Sequence, residues 1–257
     1  MSFQHAIVRP PGSNFADGLT RVDLGAPLLA LALTQHRHYC DALRACGLSV
    51  ITLPADPRYP DGTFVEDTAV LLAAGAIFTR SGAATRRGEV DAIRGTLQTH
   101  YPHAASIESP GTLDGGDICD AGRHVFIGLS ERTNAAGAAQ LTQWLTTQGC
   151  TVDTIDIRGM RSILHLKSGL AHLDDGRLLV IEDLADHPAF ARFERVRVEA
   201  DEAYGANAVQ VNNRVLIASG HPKLEARLRT LGYNPLALDM SEFAKMDGGL
   251  SCLSLRF

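Results

Sequence analysis

The feature that most limits what this chain can become is an internal repeat. A polar motif, two apolar runs joined by a tight turn, and an amphipathic stretch recur at a spacing of about 40 to 50 residues. Glu66-Asp67 leads into the first pair of runs, Asp114-Gly-Gly-Asp117 into the second, His165-Leu-Lys167 into the third and Ala206-Asn207 into the fourth. Asp247-Gly-Gly249 leads into a fifth run, Cys252-Leu-Ser-Leu-Arg-Phe257, which reads as a strand. The turns at Ala73-Ala-Gly75, Asp120-Ala-Gly122, Asp174-Asp-Gly176 and Asn212-Asn213 carry the Asn, Asp and Gly residues that tight hairpins favour.

Four helical stripes lie between the hairpins. Leu29, Ala32, Leu33, His36, Cys40 and Leu43 share one face, with Gly47 placed to end the helix. Val90, Ile93 and Leu97 form a second stripe, and Ala138, Leu141 and Leu145 a third, closed by Gly149. Leu224, Leu228 and Leu231 form the fourth, between Pro222 and Gly232. A shorter helix is expected in Asp186 to Phe193.

The repeated unit is thus ββαβ. Five copies arranged radially would close an α/β-propeller without exposed sheet edges. The first strand that the fifth copy lacks can come from His5-Ala-Ile-Val8 at the other end of the chain. No linker divides the sequence, so residues 1–257 are read as a single catalytic domain.

Charge and cysteine content narrow the class. The net charge is −5 with no Lys/Arg block, which gives no support to a nucleic-acid or anionic-membrane partner. The longest apolar runs fall well short of the roughly 18 residues of a transmembrane helix, and the N-terminus lacks the apolar stretch of a signal peptide. Five cysteines without paired CxxC spacing fit free thiols in a reducing, cytoplasmic setting. Cys40, Cys46, Cys119 and Cys150 sit in apolar patterns or at helix ends, whereas Cys252 has a glycine-rich, polar approach.

If the units are equivalent, their polar motifs converge, gathering Glu66, Asp67, Asp114, Asp117, His165, Asn207 and Cys252. A thiol and an imidazole supply a nucleophile and a general acid/base, and a carboxylate can orient the imidazole. The surplus carboxylates are poor partners for an oxyanion but suit a guanidinium, which pairs with them through parallel hydrogen bonds. A bound cation would also favour the thiolate. Arg86 and Arg132 could hold a substrate carboxylate, so the ligand expected is an amino acid of the arginine type.

Six motifs, read together, are specific. Pro60-Asp-Gly-Thr-Phe-Val-Glu-Asp67, Arg80-Ser-Gly-Ala-Ala-Thr-Arg-Arg87, Leu113-Asp-Gly-Gly-Asp117, Gly128-Leu-Ser-Glu-Arg-Thr-Asn134, His165-Leu-Lys167 and Asp247-Gly-Gly-Leu-Ser-Cys252 resemble the dimethylarginine dimethylaminohydrolases, with Asp17-Gly-Leu-Thr20 adding to the likeness. The resemblance implies the five-bladed α/β-propeller of the guanidine-modifying enzymes. It implies Cys252 as nucleophile, His165 as proton donor and later base, and Asp114 as the carboxylate that orients the histidine; some bacterial members have Glu there. Glu66 and Asp67 match the substrate-binding pair, with Asp67 favoured as the guanidinium partner, and Arg86 and Arg132 match the α-carboxylate ligands. Asp61 and the carbonyls of Leu19 and Met246 match positions at the substrate's amine end, and Phe64 a pocket wall.

Arginine deiminases resemble a His-x-Asp pattern at the third motif, where this chain has Lys167. Losing that carboxylate favours an N-methylated guanidinium, which has fewer N–H donors. The implied reaction is hydrolysis of Nω,Nω-dimethyl-L-arginine, or the monomethyl form, to citrulline and an amine through a Cys252 thiouronium. It needs neither metal nor organic cofactor. The expected partner is the small-molecule substrate, and a homodimer stays open. Two alternatives are an arginine deiminase-type hydrolase and a non-catalytic propeller module; release of dimethylamine rather than ammonia, and loss of activity in Cys252→Ser, separate them.

Overall fold

The computed structural model describes residues 2–72 and 75–257; the turn expected at Ala73 and Ala74 lies outside them. Five three-stranded sheets repeat one plan, in which an antiparallel pair of strands, a hairpin in four of the sheets, is followed across a crossover by a parallel third strand. The hairpins turn where the sequence places left-handed backbone: Asp175 and Gly176 have φ of 65° and 70°, and Asn212 has 52°. A short 3-10 turn precedes the first strand of every sheet, at Val65–Thr68, Gly115–Asp117, Leu166–Ser168, Ala200–Ala206 and Ser251–Leu253. These turns carry or adjoin the polar motifs of the repeat.

Contacts divide the chain into two compact units. The mid-chain unit, Val65–Lys167, holds two sheets: Ala69–Leu72, Gly75–Phe78 and Ala105–Ser106, and then Ile118–Asp120, His124–Leu129 and Thr151–Asp156. Its helices are Glu89–Leu97 and Ala135–Thr147. The second begins where Asn134 accepts the Gly137 N–H through its side chain, satisfying one otherwise unpaired donor. Its buried stripe, Ala138, Leu141 and Leu145, packs with Val70, Ile77, Leu113, Ile118, Val125 and Ile127.

The end unit, Met1–Phe64 with Ser168–Phe257, holds the other three sheets. Helix Leu29–Ala45 buries Ala32, Tyr39, Cys40 and Leu43 against Ala6, Val8, Phe15, Phe243 and Leu253. Helix Pro222–Thr230 begins at its proline and is followed by Gly232 at φ 91°, as Gly47 and Gly149 follow helices Leu29–Ala45 and Ala135–Thr147 at 91° and 76°.

Two expectations change. The terminal strand is only Leu255–Arg256, because Ser251–Leu253 is spent on a 3-10 turn. It pairs antiparallel with His5–Val8, which in turn runs parallel to Ser49–Thr52. The two ends of the chain therefore do share a sheet, but His5–Val8 is its middle strand and the last residues are the edge. The helix expected in Asp186 to Phe193 is instead a four-residue helix, Glu182–Ala185, and a 3-10 turn, Pro188–Phe190. Pro188 cannot donate within a helix, and the His187 ring accepts the Ala189 N–H to start the turn. Among the described residues no helix is long and apolar enough to cross a membrane, and all five cysteines are free.

Candidate active site

In the mid-chain unit the 3-10 turns Val65–Thr68 and Gly115–Asp117 bring Asp67, Asp114 and His165 together, with donor atoms within 4.8 Å of one another. His165 Nε2 lies 3.3 Å from Asp114 Oδ2, and both side chains are buried. Asp114 Oδ1 accepts the Gly82 N–H at 3.2 Å, which fixes the carboxylate that faces the imidazole. On the other edge of the ring, a Cβ at Gly116 would stand 2.7 Å from His165 Nδ1 and 3.0 Å from Asp67 Oδ1. Only glycine lets this backbone approach so closely, and its N–H uses the approach to donate to Asp67 Oδ1 at 2.9 Å.

These charges set the histidine's protonation. Burial alone would lower its pKa, but the carboxylates of Asp67, Asp117 and Asp114 outweigh it and raise it to about 9. His165 is thus an imidazolium at neutral pH, ready to donate. Burial likewise works to raise Asp67, yet His165, Arg86 and the Gly116 N–H hold it below the ordinary carboxylate range. Asp117 is pushed by burial up to about 6. It accepts from Ser130 Oγ at 2.6 Å and from the Leu166 N–H at 3.0 Å, which makes it a brace for the His165 loop. This set of donors could also accept a small cation, although Arg86 already supplies a positive charge to Asp67.

Arg86 is buried between two carboxylates. Nη1 donates to Asp67 Oδ2 at 2.7 Å, while Nε and Nη2 form a fork on Glu89 at 3.0 and 2.8 Å. Arg132 differs. Its backbone N–H donates to Ser130 Oγ at 3.0 Å, but its buried Nη1 has no hydrogen-bond partner among the described residues. Such an orphaned cationic donor suits an anion. Glu66 is buried and accepts Lys167 Nζ at 2.7 Å.

In the end unit the remaining candidates gather around the turn before the last strand. The Leu19 N–H donates to both oxygens of buried Asp61, at 3.1 and 3.2 Å. Thr20 Oγ1 donates to the Lys245 carbonyl at 3.0 Å and the Arg21 N–H to Asp247, so the Leu19 segment is tied to the strip that holds Met246. Phe64 packs against Phe15 and Phe243, with ring centroids 6.1 and 6.4 Å away. Cys252 is half-buried, and its sulfur accepts the Gly249 N–H at 3.4 Å.

Comparison with known proteins decides the family. Residues 27–249 match the family model described as N,N dimethylarginine dimethylhydrolase, eukaryotic. The N(G),N(G)-dimethylarginine dimethylaminohydrolase of Pseudomonas aeruginosa is 42% identical over 256 residues, covering 99% of this chain and 100% of that protein. This chain belongs to the dimethylarginine dimethylaminohydrolase family. The Streptomyces coelicolor enzyme of the same name is 35% identical, over 100% of this chain and 98% of its own. A solved structure of the Pseudomonas dimethylarginine dimethylaminohydrolase, a cysteine-to-serine mutant complexed with citrulline, matches with TM-score 0.96 and 41% identity over the whole of both chains. The α/β-propeller of five repeated units is the fold the two share.

Against that dimethylarginine dimethylaminohydrolase frame, several neighbours of the site were not singled out from sequence. Glu89, three residues after Arg86 at helical spacing, could have been read as its ion-pair partner. The clasp of Lys167 on Glu66 and the bond of Ser130 to Asp117 carry no local signal. Arg87 is exposed but lies in the turn before helix Glu89–Leu97, and its Nε donates to the Ser81 carbonyl at 3.2 Å. His172 packs edge-on against Phe193 at 6.4 Å, and burial lowers its pKa.

Proposed function

We propose that this chain hydrolyses Nω,Nω-dimethyl-L-arginine, and the monomethyl form, to L-citrulline and the corresponding amine, as a single catalytic domain. The observation that carries the reading is the buried imidazolium His165, oriented by Asp114 beside the low-pKa carboxylate of Asp67. The names of the relatives and the citrulline complex of one of them support the substrate class.

The Cys252 thiolate attacks the guanidinium carbon, and the positive charge of the substrate is met by Asp67. The bond from that carbon to the dimethylamino nitrogen breaks as His165 gives up its proton, releasing neutral dimethylamine. A cationic thiouronium stays on Cys252. His165, now neutral, takes a proton from water, whose oxygen attacks the same carbon. The hydroxyl of this second adduct then loses its remaining proton to the departing sulfur or to solvent as the carbon–sulfur bond breaks, which gives citrulline, frees Cys252 and leaves His165 as the imidazolium. A histidine with a pKa near 9 suits the order of events: acid first, base only after its proton has left with the amine.

Arg132, with its unpaired buried Nη1, is the better supported ligand for the α-carboxylate. Arg86 shares that assignment by family position, though its donors reach Asp67 and Glu89. Leu19, Asp61 and Met246 are assigned to the amine end and Phe64 to the wall. Glu66 and Asp67 are the guanidinium pair, with Lys167 neutralising Glu66. A methylated nitrogen beside that neutralised pair leaves no free anion unsatisfied, whereas a bare carboxylate there would favour arginine. Five free thiols accord with a reducing, cytoplasmic setting. Measuring dimethylamine against ammonia from dimethylarginine and arginine tests the reading; ammonia release from arginine as the faster reaction would replace it with a deiminase.

A further inference from the structure

The nucleophile's own turn contains a hydrogen-bonded clasp that the mechanism above does not use. Asn207 closes the 3-10 turn Ala200–Ala206, and its side chain is buried against the Ser251–Leu253 turn. The Ser251 N–H donates to Asn207 Oδ1 at 2.9 Å, and a backbone N–H can only donate, so the amide's orientation is fixed. Asn207 Nδ2 therefore faces Ser251 Oγ, to which it donates at 3.1 Å. The same hydroxyl lies 3.9 Å from Cys252 Sγ, within hydrogen-bonding reach of the sulfur. The Gly249 N–H reaches the same sulfur at 3.4 Å. Gly249 is also where the clasp needs room, because a Cβ there would stand 2.5 Å from the Asn207 amide.

We propose that Asn207 is a positioning residue for the nucleophile, clasping Ser251 so that its hydroxyl and the Gly249 N–H both donate to the Cys252 sulfur and favour the thiolate. The proposal rests on the reading of Cys252 as the nucleophile. A thiolate accepts hydrogen bonds far more strongly than a thiol, so two aimed donors lower the thiol pKa. Other charged or titratable groups surround this turn, and one of them, Tyr204, interacts electrostatically with Cys252 itself. The Tyr204 hydroxyl donates to the Gly248 carbonyl at 2.8 Å, and His221 lies against its ring at 6.0 Å. Asp239 acts on Tyr204, Asp247 is held by the Arg21 N–H, and the Arg256 guanidinium donates to the Ser251 carbonyl at 3.4 Å. Substituting Asn207 or Ser251 keeps these residues, and Ser251→Thr separates loss of the hydroxyl from other effects of changing the turn.

The test is the rate of alkylation of Cys252 by iodoacetamide, followed by mass spectrometry of the Cys252 peptide from pH 6 to 10 in the whole protein without substrate. Asn207→Ala and Ser251→Ala should each raise the apparent pKa of alkylation by about one unit, a tenfold smaller thiolate fraction at neutral pH. Ser251→Thr, which keeps the hydroxyl, should stay near the parent. An unchanged profile in Ser251→Ala would overturn the proposal, and that small substitution decides the matter alone if Asn207→Ala fails to fold. The readout needs no turnover. A shifted profile in a protein that leaves dimethylarginine intact would sustain the clasp while defeating the proposed function; normal turnover with an unshifted profile would do the reverse.

Discussion

Replacing Arg86 with methionine isolates the electrostatic arrangement on which Asp67 depends. Methionine is shorter but similar in volume, so the change removes a charge and its donors more than it removes packing. Arg86, Asp67 and Glu89 are all buried, at 6%, 5% and 2% relative exposure. Without the guanidinium, Asp67 Oδ2 and both Glu89 oxygens lose their charged donor in a place water does not reach. Removing one partner of a buried ion pair costs about 3–5 kcal/mol, and two carboxylates lose theirs here, so the upper part of that range is expected. The loss should depend on pH. In the parent, Asp67 titrates below its unfolded value, so its contribution is complete above the ordinary carboxylate range and is lost as pH falls through the folded pKa. In the variant, Asp67 loses one of the groups that hold its pKa down against burial, and its protonation relieves part of the penalty as pH falls. Urea denaturation followed by circular dichroism at pH 7.5 and 5.5 measures both effects. A change below about 1 kcal/mol at pH 7.5, the range of an exposed pair, would refute the account of this cluster.

Further outcomes follow from individual contacts. Gly116→Ala places a methyl group 2.7 Å from His165 Nδ1; displacing the imidazole should lower kcat about 100-fold in a citrulline assay, with the fold intact by circular dichroism. Asp114→Asn removes one of the carboxylates that raise His165, so the imidazole's NMR titration should move from about 9 toward its ordinary value by about one unit. For the parent, His165 favours the folded state fully below its unfolded pKa of about 6.5, and that contribution fades as pH rises through about 9. The acid form needed for amine departure is lost over the same rise, so kcat/KM should fall above pH 9. Arg132→Ala should raise KM for dimethylarginine about tenfold or more while kcat changes less, as expected for loss of a charged hydrogen bond to the α-carboxylate.

The repeat made most of the fold legible. Each hairpin, each of the four helical stripes and the glycines that end them express local preferences, and local preferences are written in adjacent residues. The place of the candidate residues in the repeat was legible for a related reason: Glu66, Asp67, Asp114, His165, Asn207 and Cys252 lie in or beside the same short turn of successive units. What each side chain binds was less so. Lys167 reads in sequence as a carboxylate that is missing, but in the structure it is a cation placed on Glu66, 101 residues away. Arg86 reads as a ligand for substrate, yet its guanidinium is held by Asp67 and Glu89. The last residues read as one alternating strand, but the turn that positions Cys252 takes half of it. In each case, contact with a distant residue or the demand of the turn overrode a local pattern.

The most direct measurement is of citrulline and dimethylamine formed from Nω,Nω-dimethyl-L-arginine by the parent protein and by Cys252→Ser. The account predicts equal amounts of the two products from the parent, and from the serine variant a rate lower by several orders of magnitude with its folding unchanged. Citrulline formation at the parental rate in Cys252→Ser, or none from the parent, would contradict it.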